Sequence, residues 1–500
     1  MSSFLTSVES INGKVNGFVW GLPMLILLVG TGILMTTLTK VFQISHIGHW
    51  IKNTIGGIFS DRHVTKHTDK EDKQITQFQS LCTALAATIG TGNIAGVSAA
   101  IVSGGPGAIF WMWIVAFFGM MTNFSENVLG IYYRRRNEKD EWCGGAMYYL
   151  KDGLGAKKGC KQIGAILAVL FSGFCLLASF GIGNMSQVNS IAANMNSAFN
   201  IPTLATGIIL MIFAALVIVG GLKRIATVTE TLVPFMAIAY IIGAIVICVA
   251  HIDQFGAVFA AIFKGAFGVR AAGGGMVGYG VSLAVQWGMK RGVFSNEAGL
   301  GSSVMVHSSS NVREPVVQGM WGIFEVFADT IIVCSLTAFA VLSSGLVDLE
   351  TGAVISENQS TALVAEAFST VFGKFGASFI AVAILLFAFS TVLGWSQYGT
   401  KAFEYLFGRK AVIIYQVLFV LFIVMGATMD LTLAWDLSDT FNGLMAIPNL
   451  IGVLALSGTV MKITSNYVKR KIKGEDIKPM LSALEDIQVL HEKEIAEKAE

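Results

Sequence analysis

The sequence predicts an all-α polytopic membrane protein, a bundle of about eleven transmembrane helices. Three observations carry that prediction. Hydrophobic residues make up 54% of the chain and charged residues 13%, against about 25% charged in a soluble domain, so a water-facing surface could not be covered with polar groups. Eleven segments each hold roughly the 20 apolar residues needed to cross a bilayer of ~30 Å. Lysine and arginine concentrate in alternate connecting segments, as the positive-inside rule requires. The same composition excludes an ordinary soluble enzyme, a disordered chain and a disulfide scaffold. A net charge of +2 without a basic domain argues against nucleic-acid binding. The six cysteines are scattered, with no C-x-x-C and no Cys/His cluster, and read as small apolar packing residues.

The first span, 17–39, is longer than a signal h-region. No basic cluster precedes it and no cleavage motif follows, so it is read as a helix that stays in the membrane. The others are 78–103, 107–133, 163–190, 202–221, 226–250, 276–306, 316–345, 376–400, 411–430 and 434–461. The segment 276–306 is unusual in carrying Lys290, Arg291 and Glu297. Placing 40–77 in the cytoplasm puts 28 of the 34 lysines and arginines on that side. The N-terminus is then outside and the C-terminus cytoplasmic. Residues 40–77 and 134–161 form charged cytoplasmic loops, and 346–375 an acidic external one. Beyond Gly474, Leu481, Leu484 and Ile487 recur at helical spacing and predict a short amphipathic helix, packed on the bundle or meeting a partner.

This order divides the chain into an extra N-terminal helix (1–39), a cytoplasmic loop (40–77), five helices (78–250), an external loop (251–275), five more helices (276–461) and a cytoplasmic tail (462–500). Five is odd, so consecutive five-helix blocks have opposite topology, the requirement for an inverted repeat. The first helix of each block is the irregular one. One contains Gly90-Thr91-Gly92-Asn93, the other the run Arg291–Gly301 with Gly292, Gly299 and Gly301. Each glycine costs ~1 kcal/mol of helix propensity, which favours local unwinding. Unwound backbone at membrane depth is tolerated only inside protein or along a cavity, where it offers N–H groups to an anion and carbonyls to a cation. The competing reading is close helix packing, and Gly92 and Gly96 have the G-x-x-x-G spacing.

Other polar residues fall inside the spans. Asn184 and Gln187 stand at i, i+3 on one helix face and serve either a pocket or helix–helix hydrogen bonding. Ser390 and Thr391 are adjacent hydroxyls that either face a ligand or bond back to i−4 carbonyls. Trp395 either closes a pocket or anchors at the interface. Glu126, Arg291 and Glu297 are read as an ion-paired inner gate or structural lock, with a direct contact of Arg291 to a substrate carboxylate as the alternative. The seven histidines avoid the span centres, and neither a metal motif nor a Ser/His pairing is present, so no enzyme and no catalytic residue is expected.

The stretch Gly104-Gly105-Pro106-Gly107-Ala108-Ile109-Phe110-Trp111-Met112-Trp113 resembles the sodium:alanine symporters, the alanine or glycine:cation symporter family. The runs Ile89–Gly96, Gly144–Tyr149 and Arg291–Gly301 are similar to that family too, and the resemblance spans about residues 15–465. It implies a LeuT-type fold of five plus five inverted helices with one added helix. It also implies symport of a small neutral amino acid, alanine or glycine, with Na⁺ as coupling ion. The bilayer of the cell membrane is then the other partner, with no cofactor and no obligate protein partner. By this resemblance Gly90, Thr91, Gly92 and Asn93 meet the substrate with backbone groups and an N-capping Asn93 side chain. Ser295 and Asn296 are their natural partners, Gln187 is favoured over Asn184 as the lining amide, and Trp395 is a candidate to bound the pocket, with the interfacial anchor as the equal alternative. The sodium ligands it implies are the carbonyls of Ala86, Ile89 and Phe387 with the hydroxyls of Ser390 and Thr391. Proton-coupled symport is the alternative within transport; a channel is a third class, which would need filter loops repeated by oligomer symmetry.

Overall fold

The computed structural model describes residues 2–66, 74–268, 276–429 and 432–496. Each of the eleven apolar segments coincides with a helix or a broken helix. Among the described residues, seven helices are long and apolar enough to cross a membrane, nine if each of two bent pairs counts as one span. Thr203–Ile218 is apolar but shorter, and the 276–306 segment keeps its first 21 residues helical as Met276–Asn296. The first span runs straight on from an N-terminal helix, Ser2–Val19, so that Glu9–Leu38 is one 30-residue stretch.

The segments read as loops also hold helices. Residues 40–77 fold into four short ones between Phe42 and Thr65. The connection 251–275 contains Phe255–Ala266, and 346–375 contains Ser360–Phe372. Gly107–Tyr132 is the central packing element, lying along Pro315–Val326 and Met276–Asn296. Ile208, Ile209, Ile212, Phe213 and Leu216 instead point outward from Thr203–Ile218. Such an exposed apolar face suits hydrocarbon, since every backbone group of a helix is satisfied internally. Inside, the bundle is rich in buried polar side chains, many of them hydrogen-bonded around the two helix breaks.

The tail helix forms as Glu485–Ala496 and packs on the bundle. Leu481 and Ile487 are buried, the Ala483 N–H donates to Tyr132 O at 2.9 Å, and Arg470 grips Glu314 through two nitrogens at 2.9 and 2.8 Å. His491 stacks edge-on against Trp142. Burial, and then the charges of Arg134, Arg313 and Arg136, push its imidazole down to about 3 from the usual 6.5. The docked tail therefore holds neutral histidine. Its stabilisation is complete above pH 6.5 and drains away as the pH falls toward 3. Hydrogen exchange is expected to show Glu485–Ala496 losing protection between pH 6.5 and 4 before the spans do. Uniform protection over that range contradicts this.

Candidate functional site

The first break begins where the helix Gln77–Thr88 stops. Ile89 leaves the ladder in extended conformation (φ −76°, ψ 91°), and the chain resumes at Gly92 as a wide π turn, Gly92–Gly96, continuing into Val97–Gly104. The two halves are bent by 50°. Side chains hold the unwound strand. Asn93 Oδ1 accepts from the Gly90 N–H at 2.9 Å, and Gln187 Oε1 accepts from the Thr91 N–H at 3.3 Å. Such local bonds compete with the helix ladder and stabilise the break. Asn93 thus caps backward, onto a preceding N–H, and not forward as an N-cap does.

The second break falls in the later part of the run Arg291–Gly301, beyond Gly292. Met276–Asn296 runs helically through Gly292, where a β-carbon would come within 2.5 Å of Val115 Cγ1. Gly292 serves close packing. The helix fails instead at Glu297 (φ 55°), Gly299 (φ 92°) and Gly301 (φ 72°), and Asn296 Oδ1 accepts from the Ala298 N–H at 3.0 Å in an Asx-type turn. A short helix, Val304–His307, follows. Ser295 and Asn296 are therefore the last residues of a half-helix.

The two broken helices meet at Gly92, where a β-carbon would sit 3.2 Å from Ser295 Cα. Asp329 ties them together. This fully buried carboxylate lies in the wide π segment Phe327–Cys334. It accepts from Asn93 Nδ2 at 2.6 Å, Ser295 Oγ at 2.8 Å and Thr330 Oγ1 at 2.8 Å. Asn296 Nδ2 donates to Thr330 at 3.1 Å. Sequence reasoning missed Asp329. The signal was available, since an acid inside the apolar span 316–345 is a functional candidate by default.

Beside the first break, oxygens converge. Ser390 Oγ lies 2.8 Å from Phe387 O and 3.3 Å from Ala86 O; Thr391 Oγ1 lies 3.0 and 3.1 Å from the same two carbonyls. Each hydroxyl therefore bonds back within Lys374–Phe407 and also crosses to the first broken helix. Gly90 presses against this group: a β-carbon there would meet Thr391 Oγ1 at 2.3 Å. Ile89 is the residue between that carbonyl-bearing turn and Gly90.

A cavity of about 10 Å³ sits at the break, lined in part by Gly90, Gly92, Gln187, Phe294, Thr391 and Trp395. That is room for about one water. Trp395 is buried, and its Nε1 donates to Glu297 Oε1 at 2.8 Å. It walls the cavity and is not an interfacial anchor. Gly183 makes space for it, since a β-carbon there would lie 2.4 Å from Trp395 Cβ. Gln187 also lines the cavity, and its Nε2 donates to Ile182 O at 3.0 Å. Asn184 points elsewhere. It lies in a π turn, Gly181–Met185, which breaks the i, i+3 register with Gln187, and its Nδ2 donates to Phe419 O at 2.6 Å.

The expected ion pairing among Glu126, Arg291 and Glu297 does not form. Lys290 pairs with Asp439 at 2.7 Å, with Arg291 at 3.9 Å from the same carboxylate. Glu126 is held by Asn449, and Glu297 by Trp395 and by Ser302 at 2.5 Å. His307, placed away from the span centres by sequence, is fully buried and pairs with Glu325 at 2.9 Å. Among the described residues no group of three His, Cys, Asp or Glu is arranged to hold a metal.

The backbone is similar to the crystal structure of MhsT in complex with L-phenylalanine, with a TM-score of 0.51 and 14% identity, covering 79% of this chain and 99% of that one. At that identity the likeness speaks for the LeuT-type fold alone. In sequence, the chain is 44% identical over 459 residues to the sodium/alanine symporter AgcS of Methanococcus maripaludis, covering 92% of this chain and 97% of the relative. It is 42% identical over 468 residues to an uncharacterized transporter of Haemophilus influenzae, covering 93% and 97%. The family model described as the sodium:alanine symporter family matches residues 5–481. The chain belongs to the sodium:alanine symporter family.

Proposed function

We propose that the protein imports a small neutral amino acid, alanine or glycine, together with sodium, by alternating access of two inverted five-helix repeats, 78–250 and 276–461. The N-terminus would face outward and the C-terminus the cytoplasm. The observation that carries this reading is the convergence of Ala86 O, Phe387 O, Ser390 Oγ and Thr391 Oγ1 from two different elements, directly beside the unwound Gly90–Thr91 strand. Four neutral oxygens suit a hard monovalent cation, and the neighbouring N–H groups suit a carboxylate. Asn93 Oδ1 and Gln187 Oε1 occupy those N–H groups here; a substrate carboxylate takes the place of Gln187 on the Thr91 N–H when Gln187 turns aside, and reaches the Gly90 N–H when Asn93 does the same. The name of the Methanococcus relative agrees with this pairing of ion and amino acid.

Asp329 favours a second reading, proton coupling. Its hydrogen-bond donors Asn93, Ser295 and Thr330 are all neutral, and a carboxylate inside a membrane calls for a cation or a proton. Proteoliposomes separate the two. Alanine uptake driven by an inward sodium gradient at equal pH supports sodium; uptake driven only by a pH gradient overturns it.

The cavity walls predict selectivity. Alanine and glycine are expected to compete with each other for uptake, whereas leucine at tenfold excess leaves alanine uptake unchanged, because the cavity holds about one water as it stands and, with Trp395 and Phe294 as walls, only the smallest side chains fit once Gln187 turns aside. Strong inhibition by leucine would contradict that assignment.

A further inference from the structure

A second, much larger cavity of about 930 Å³ lies on the face that carries the basic loops. It shares no lining residue with the small cavity at the helix break. Its walls come from five separate segments: the 40–77 loop, the hairpin of Arg135–Arg136 with Trp142–Cys143 and the preceding Arg134, the 311–317 connection, the turn Val468–Ile472 with Lys471, and the tail helix. Arg134 is fixed from below, donating to Ser308 O at 3.2 Å, to Ser310 O at 2.7 Å and to Val312 O. The guanidiniums of Arg134 and Arg136 stack on the Trp142 ring at 3.9 and 4.6 Å. The acids of the wall are already engaged. Asp61 accepts from the His63 N–H at 2.9 Å, Glu314 is gripped by Arg470, and Glu494 of the tail pairs with Arg313.

Four buried nitrogens on residues that line this cavity have no hydrogen-bond partner: Arg134 Nε, Arg136 Nε, Trp142 Nε1 and His491 Nδ1. Trp142, Arg134 and His491 are each more than nine-tenths buried. Buried donors such as Arg134 Nε and Trp142 Nε1 are expensive without acceptors; burial first, and then the neighbouring arginines, lower both His491 and Arg134, the latter to about 9. Among the described residues, the acid paired with Arg313 is Glu494 of the protein's own tail.

We propose that this cavity is a binding site for a phosphate group, held by Lys52, Arg136, Arg313 and Lys471, and that Glu494 of the tail helix occupies part of it until the phosphate displaces it. A phosphate brings several strong acceptor oxygens at once, which matches clustered guanidiniums better than a single carboxylate does. The group can come from a soluble phosphate or from an anionic lipid headgroup at the membrane edge.

The test uses the purified full chain and its thermal unfolding. In detergent at fixed ionic strength, inorganic phosphate replacing chloride is expected to raise Tm saturably. Arg136→Gln with Lys471→Gln should shift half-saturation at least tenfold upward. Glu494→Gln should shift it several-fold downward by removing the competing carboxylate, an effect that misfolding cannot imitate. In nanodiscs, a rise with phosphatidic acid over phosphatidylcholine that leaves nothing for free phosphate to add identifies the lipid as the source; an undiminished response to free phosphate identifies the soluble ligand. The proposal is overturned by the lack of any phosphate-specific or phosphatidic-acid-specific rise, by an unchanged response in the double variant, or by an unchanged half-saturation in Glu494→Gln.

Discussion

Asp329→Asn will reduce alanine uptake about a hundredfold while leaving the protein folded and inserted. The substitution is nearly isosteric. The Ser295 and Thr330 hydroxyls, which now both donate to Asp329 Oδ2 at 2.8 Å, can each turn to accept one N–H of the new amide, and the other oxygen still receives Asn93 Nδ2. The link between the two broken helices therefore keeps its shape, and the change removes the charge. A buried charge that balances a cation is worth about 3 kcal/mol or more, hence a hundredfold. The measurement is sodium-driven uptake in proteoliposomes, with alanine binding measured alongside. Under sodium coupling both fall. Under proton coupling binding survives and only accumulation is lost, because the amide imitates a protonated acid. Unchanged uptake would remove Asp329 from the site.

Thr391→Ala will raise the sodium concentration needed for half-maximal alanine binding about tenfold. It deletes one oxygen, 3.1 Å from Ala86 O, without adding bulk. Ser390 keeps its own bonds to Phe387 O and Ala86 O, so the helix contact persists. Alanine affinity should fall at low sodium and return at saturating sodium, because the ion acts by holding the unwound strand in its binding shape. A uniform loss at every sodium concentration would place Thr391 in the substrate pocket instead.

Much of this architecture is legible in the residues. Apolar length marks segments that coincide with helices, seven to nine of them long and apolar enough to cross a membrane among the described residues, and Gly90-Thr91-Gly92-Asn93 marks the first break to within a residue of where Ile89 leaves the helix. Propensity treats the glycines of Arg291–Gly301 alike and cannot set apart Gly292, because glycine lowers helix propensity wherever it stands. Only the packing against Val115 shows that this glycine serves contact, while the turn itself uses Glu297, Gly299 and Gly301. Asn184 and Gln187 were placed on one face by regular helical spacing, and a single wide turn separates them. Asp329 escaped for another reason: its partner Asn93 is 236 positions away, and no local pattern reports such a meeting. The gate expected from Glu126, Arg291 and Glu297 failed likewise, since Asp439, the actual partner of Lys290 and Arg291, lies on a different helix.

The central claim is that cation and amino acid bind at adjoining sites that share the first broken helix, with Ala86 O on one side and the Gly90 and Thr91 N–H groups on the other. Linkage makes that claim directly measurable in the unmodified protein. Equilibrium alanine binding across a sodium titration, and sodium binding across an alanine titration, should show each ligand tightening the other by the same factor. The account predicts a coupling of at least tenfold in both directions, with potassium unable to replace sodium. Alanine affinity that is independent of sodium would contradict it.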